Sequence, residues 1–179
     1  KRTNNLVWEI GTERFENAIK RTPITGVCIG FNTLSKVDYS FTSKLFNCTL
    51  NTVSQIASTS ELNELSNGLR TIARLNLRFA IKIYNSPNIN LNKLALESNN
   101  YRLSEIKKCL YYLKPIDKKR TEELLKKFDH VSLSNKFEKE KRFDKAAEFL
   151  NQLYLIESTK IEEVLLQLGE SEIYKKCQG

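Results

Sequence analysis

The amino-acid sequence predicts an all-α fold, a compact multi-helix bundle of about seven or eight helices. Apolar residues recur three or four positions apart through most of the chain, which is the helical period. Its 179 residues include only six Gly and three Pro, and the breaks between apolar stripes are short. We expect a single helical domain over residues 1–179, with a subdivision near residue 115 into 1–114 and 116–179 as the alternative.

The first quarter of the chain predicts two helices separated by a different kind of segment. Residues 6–21 carry an approximate apolar stripe, and Pro23 ends the element because the residue before proline avoids helical dihedral angles. Residues 24–31 contain two glycines and several β-branched residues, which predicts a short extended segment, either a strand or a buried turn. The stripe returns over residues 33–57, which predicts a second helix.

A third helix is predicted over residues 61–84, with Ser60 as its N-cap. Residues 75–83 alternate apolar and polar side chains, as a strand does. Four cations nevertheless follow the ridge spacing of a helix: Arg70, Arg74, Arg78 and Lys82. We predict helix rather than strand here, because no turn signal precedes residue 75.

The second half predicts further helices joined by short connections. Pro115 ends one of them, and Gly169 is placed as the C-cap of the last. The predicted helices are 91–97, 102–114, 121–130, 134–157 in one or two pieces, and 159–168.

Four cysteines are present, an even number that predicts two disulfides. The disulfide candidates are Cys28, Cys48, Cys109 and Cys177. Asn47 begins an Asn-Cys-Thr triplet and is a candidate for N-glycosylation. The chain begins at Lys1 and contains no methionine, which indicates either a processed precursor or a piece of a longer protein. Taken together, these features predict a processed, secreted glycoprotein. The alternative is four reduced thiols in an intracellular protein.

The sequence gives no sign of a membrane-spanning helix, a cofactor or a metal. The most apolar stretch, residues 69–84, is interrupted by cations every fourth residue, whereas a span needs about 18 uninterrupted apolar residues. No CxxC pair exists, and His130 is the only histidine, so we expect no metal site. Phosphate-loop, dinucleotide and nucleophile-elbow motifs are also missing, and we expect no catalytic residue and no enzyme activity.

The net charge of +8 is concentrated in one part of the chain. Residues 101–145 hold 14 Lys and Arg against 8 Asp and Glu, while residues 146–179 hold 3 against 6. Such runs often form an ordinary solvated surface, but a basic face also binds polyanions. The candidate residues in this block, which surround Tyr111 and Tyr112, are Lys107, Lys108, Lys114, Lys118, Lys119 and Arg120. The cations at 70, 74, 78 and 82 are a second candidate set, unless they pair with acidic residues of the molecule itself.

We therefore expect a non-enzymatic binding or effector protein that is extracellular, stabilised by disulfides, and acts through contacts with a protein or ligand. A protein partner is the first expectation. The alternative is an intracellular helical adaptor or nucleic-acid-binding domain that uses the basic block 102–127, with nucleic acid or a sulfated glycan as its polyanion.

Overall fold

A computed structural model of the chain describes the backbone of residues 12–178 and the side chains of residues 13–169. Within these residues the protein contains eleven α-helices, one 3₁₀ turn at Ser98–Asn100 and no strand, so the all-α prediction is confirmed. Residues 1–11, including the predicted start of the first helix, lie outside the described part. The helices are α1 (Thr12–Lys20), α2 (Ile24–Val37), α3 (Tyr39–Thr59), α4 (Leu62–Leu75), α5 (Leu77–Tyr84), α6 (Leu91–Glu97), α7 (Leu103–Leu113), α8 (Lys118–Lys126), α9 (His130–Lys139), α10 (Phe143–Ile156) and α11 (Ser158–Gln178).

Contacts between residues divide the chain into two compact units. The first ends at Ile89 and contains α1 to α5; the second begins at Asn90 and contains α6 to α11. Pro115, the alternative boundary predicted from the sequence, lies inside the second unit. The single-domain expectation stays a prediction.

The extended segment predicted for residues 24–31 is wrong, because these residues form the first two turns of α2. Ile24, Val27, Cys28 and Phe31 are all buried, and their spacing of three and four is a helical stripe. The glycines obscured this pattern. Gly68 of α4 has a packing role here: a Cβ atom at that position would lie 3.4 Å from the backbone of Ile24, so glycine allows the two helices to approach closely.

Two long predicted helices are each divided by a capping side chain. The Asp38 carboxylate accepts a hydrogen bond from the Phe41 N–H at 2.9 Å and begins α3. The Asn76 side-chain oxygen Oδ1 accepts one from the Arg78 N–H at 2.9 Å and begins α5. The Asn76 amide also donates to the Tyr39 hydroxyl at 2.7 Å, so the two breaks lie next to each other. Residues 77–83 are helical, which confirms helix over strand; Ser60, the predicted N-cap, instead ends α3.

The core of the first unit contains a group of aromatic rings. Phe46 is fully buried, stacks on Phe79 with ring centroids 3.9 Å apart, and meets Phe31 edge-on at 5.4 Å. These rings come from α2, α3 and α5. They therefore hold three helices of the unit together.

In the second unit, α10 packs against α7, α8 and α11, and α9 packs against α7 and α11. The Ser134 hydroxyl of α9 donates to the Val164 carbonyl of α11 at 3.2 Å. Gly169, with φ of 71°, interrupts α11 where the sequence predicted a C-cap, but helical backbone resumes after it. Residues 140–142 divide α9 from α10.

The two-disulfide prediction is wrong. Cys28, Cys48 and Cys109 form no disulfide bond with one another, whereas two bridges among four cysteines would have to join two of these three. Cys177 lies outside the described side chains. Burial raises the pKa of the Cys28 thiol to about 12, so this group is a protonated, apolar part of the core.

None of the helices in the described residues is both long and apolar enough to cross a membrane.

Candidate functional site

Helix α7 presents one polar face to solvent. The Glu105 carboxylate accepts a hydrogen bond from the Arg102 N–H at 2.8 Å, which helps to begin the helix. At 100° per residue, Ser104, Lys108 and Tyr111 share the side opposite the core, and all three are exposed. We call these three residues the α7 face. The buried residues of the helix are Leu103, Ile106, Cys109, Leu110 and Leu113.

Cation and aromatic groups lie together on this helix. The Tyr111 side chain is 62% exposed, and its ring centroid lies 5.9 Å from that of Tyr112. The Lys108 ammonium lies 5.8 Å from the Tyr112 ring centroid, within cation–π range. The Lys108 ammonium is therefore held over the half-buried Tyr112 ring, which lies beside the exposed Tyr111 ring. A charge and an exposed ring on one helix can attract a phosphate and stack a planar group.

Two of the predicted basic residues have acidic partners. Lys107 forms an ion pair with Glu148, whose carboxylate also lies 3.4 Å from the Lys145 ammonium. Lys118 lies 3.5 Å from Glu122, one helical turn away. These pairs partly neutralise the basic block, as expected for a solvated surface.

The other predicted residues of the block differ in exposure. Lys119 is exposed on α8, whereas Lys114 and Arg120 are half-buried. The Arg120 backbone N–H donates to the Asp117 carboxylate at 2.9 Å, which caps α8. Of the six cations predicted here, Lys108 and Lys119 present the most accessible charge without an observed acidic partner.

The predicted ridge of four cations belongs to the first unit and is not continuous. The break at Asn76 places Arg70 and Arg74 on α4 and the other two cations on α5. Arg70 is half-buried, while the remaining three are exposed. The Lys82 ammonium donates to the Asn47 side-chain oxygen at 3.0 Å. The four cations therefore do not share one continuous helix, as the predicted ridge required.

Sequence reasoning missed a polar cleft in the second unit, between the start of α7 and the end of α9. It has a volume of about 440 Å³. Three cations line it: Arg102, Lys136 and Lys139. The Lys136 ammonium donates to the Asn99 carbonyl at 2.7 Å, which fixes the position of its charge. We call this the α7–α9 cleft; its other lining residues are Asn100, Tyr101, Leu103, Ser104 and Glu140.

The charges of the cleft act on one another. Burial and the nearby ammonium of Lys139 lower the pKa of Lys136, and the Glu105 carboxylate opposes this shift. The Glu140 carboxylate accepts a hydrogen bond from the Arg142 N–H at 3.1 Å, so it is held at the end of α9. An anion in the cleft would relieve the repulsion between the two lysines.

The cleft was missed because its cations come from positions more than 30 residues apart in the sequence. One feature of the sequence did point to the cleft. Lys136 and Lys139 are three residues apart within the basic residues 101–145, which places them on the same side of a helix.

The glycosylation candidate lies in the middle of α3. Asn47 is exposed, but Thr49 of the same triplet is fully buried and donates to the Leu45 carbonyl at 2.9 Å. A glycan would attach to the Asn47 Nδ2 atom, whereas the Lys82 ammonium donates to the Oδ1 atom, so the two are compatible. Glycosylation stays a prediction.

His130 is exposed at the beginning of α9, where the Asp129 carboxylate caps the helix by accepting from the Val131 and Ser132 N–H groups. This carboxylate is therefore engaged with the backbone. Among the side chains that the structure describes, no group of three or more His, Cys, Asp and Glu residues is arranged to hold a metal.

No protein-family model, curated protein or solved structure matches this chain.

Proposed function

We propose that this chain acts by binding, without a catalytic step of its own, and that its second unit docks single-stranded nucleic acid along the α7 face. The observation that carries the proposal is the pairing of an exposed cation, Lys108, with an exposed ring, Tyr111, one helical turn away on the same face. Single-strand binding proteins combine these two elements, because the cation meets the phosphates and the ring stacks on unpaired bases.

The choice of a single strand over a duplex follows from the aromatic side chain. A ring can stack only on a base that is not already stacked within a helix, so Tyr111 favours unpaired nucleotides. A sulfated glycan offers the charge but no planar base. Tyr111 would add little to glycan binding, and this difference makes the proposal testable.

Fluorescence anisotropy of a labelled single-stranded oligonucleotide, at low salt, tests the proposal. Replacing Tyr111→Ala should weaken binding by about 5- to 150-fold, because stacking on one base contributes about 1–3 kcal/mol. Tyr154→Ala is the matched control, since Tyr154 is 64% exposed on α10. Equal affinity of the Tyr111→Ala variant and the unmodified chain would contradict the proposal, and so would equal weakening by both tyrosine variants.

The extracellular effector expected first from the sequence remains a second proposal. The exposure of Asn47 favours it, because an exposed asparagine can carry a glycan. Its other structural argument is lost, because Cys28, Cys48 and Cys109 form no disulfide bond with one another and a two-bridge framework is therefore not present. Intact-mass measurement of the protein purified from its natural source tests it: a mass increase lost on Asn47→Gln supports it, and an unmodified mass contradicts it.

A further inference from the structure

We propose that the α7–α9 cleft binds one phosphoryl group, and that in nucleic acid this group is the terminal phosphate of a single strand. The inference that the phosphate belongs to nucleic acid depends on the function proposed above. The phosphoryl chemistry of the cleft is argued separately, from the residues that line it.

The number of cations in the cleft matches a phosphate monoester better than a phosphodiester. Arg102, Lys136 and Lys139 converge on it from two separate segments. A phosphodiester carries one negative charge, whereas a terminal phosphate carries about 1.5 to 2 at neutral pH and has three acceptor oxygens. Three cations around one cleft therefore favour the more highly charged group.

The cleft also contains suitable donors, one of which is held in position. An ammonium has three N–H donors, and the bond from Lys136 to the Asn99 carbonyl uses one of them. Arg102 adds a guanidinium, whose planar donor pairs match phosphate oxygens. The Ser104 hydroxyl lines the same cleft and is exposed.

The position of the cleft on α7 connects it to the α7 face. Ser104 belongs to both, and Tyr111 lies seven residues farther along the helix, about 10 Å at a rise of ~1.5 Å per residue. This length corresponds to about three stacked nucleotides at ~3.4 Å each. A single strand whose terminal phosphate is held in the cleft would therefore bring its second to fourth nucleotides to Lys108 and Tyr111.

One carboxylate in the cleft makes the proposal more specific. Glu140 lines the cleft beside the cations and would repel a phosphate. Glu140→Gln should therefore strengthen phosphate binding, whereas loss of either lysine should weaken it. Opposite effects from neighbouring residues are difficult to explain by a general loss of folding.

The first experiment measures binding of inorganic phosphate to the full chain by nuclear magnetic resonance titration of backbone amides. We expect saturable shifts at residues 100–104, at least tenfold weaker binding for Lys139→Met, and binding about threefold tighter for Glu140→Gln. Lys44→Met, at an exposed position of α3 in the first unit, removes the same charge and should have no effect. Lys139→Met is preferred to Lys136→Met because it leaves the Asn99 hydrogen bond in place. The phosphoryl site would be overturned if no saturable shifts appeared at the cleft. It would also be overturned if the Lys139→Met and Lys44→Met variants bound phosphate equally tightly.

The second experiment compares one oligonucleotide with and without a terminal phosphate. We expect the phosphate to tighten binding about tenfold in the unmodified chain and to have no effect in Lys139→Met. If inorganic phosphate binds but the terminal phosphate adds nothing, the cleft takes free phosphate and the nucleic-acid assignment is overturned. Tighter binding of a phosphoserine peptide than of the phosphorylated oligonucleotide would overturn that assignment as well.

These results separate the cleft from the α7 face. If the α7 face does not bind nucleic acid, the Tyr111→Ala variant should bind the oligonucleotide as tightly as the unmodified chain. If the cleft does not bind phosphate, the Lys139→Met variant should bind phosphate as tightly as the unmodified chain. Either can occur without the other.

Discussion

Replacing Phe46→Ala should destabilise the protein far more than truncation of an exposed phenylalanine. The Phe46 ring is fully buried and contacts Phe31 and Phe79. Burying a phenylalanine contributes about 1.5–3 kcal/mol, and each aromatic pair adds about 0.5–1.5 kcal/mol. We therefore expect the free energy of unfolding to fall by about 3–5 kcal/mol, the range usual for such truncations. This is a large part of the stability of a typical small domain.

Urea unfolding followed by far-ultraviolet circular dichroism measures the loss. Hydrogen exchange of peptides from residues 24–84 then tests whether it occurs in the first unit. Phe143→Ala is the matched control because Phe143 is 49% exposed, and its effect should stay below about 1 kcal/mol. A loss below 1 kcal/mol for Phe46→Ala would refute the reasoning, since it would mean that the three rings do not form the packed centre of the unit.

Three other predictions concern capping, titration and thiols. Asn76→Ala should lower the free energy of unfolding by about 1 kcal/mol, because it removes the cap of α5. Asn76→Asp should keep most of that stability, and Asn92→Ala should change it little. Equal urea midpoints for all three variants would contradict this prediction. The hydrogen bond and charge of Lys107 hold the pKa of Glu148 below its usual range, with a further contribution from a second lysine. Because the folded pKa is the lower one, this stabilisation is present above the unfolded pKa and lost as the pH falls through the folded pKa. Carboxyl titration by nuclear magnetic resonance should show the Glu148 pKa rising in Lys107→Met, and an unchanged pKa would exclude this ion pair. Ellman's reagent should find at least three thiols in the unfolded, unreduced chain. Cys48 is exposed, so Cys48→Ser should remove a thiol that reacts rapidly in the folded protein. A count of two thiols or fewer would contradict this prediction and indicate a disulfide.

The helical class could be predicted because apolar periodicity is a local property of the sequence. Residues 77–83 show where the period alone was ambiguous: their alternation resembles a strand, yet Phe79, Ala80 and Ile83 form a buried helical stripe. The breaks at Asp38 and Asn76 were missed because each depends on one side chain accepting a backbone hydrogen bond. Both residue types are common N-caps, but they also occur within helices.

The candidate site was predicted only in part. Lys108 and Tyr111 were visible as neighbours on one helix, because i and i+3 positions lie together. The sequence could not show that Glu148 pairs with Lys107, since the two residues are 41 positions apart. For the same reason, Arg102 and Lys136 could not be assigned to one cleft. Long-range packing, which brings them together, leaves no local pattern.

Salt dependence of oligonucleotide binding tests the central claim most directly. Each phosphate contact contributes about −0.7 to the slope of log K against log salt concentration for a single strand. The account predicts measurable binding at low salt, a negative slope, and a slope less steep by about 0.7 for Lys108→Ala but unchanged for Lys44→Ala. Binding that is absent at low salt, or a slope that both variants change equally, would contradict the proposal that the α7 face docks single-stranded nucleic acid.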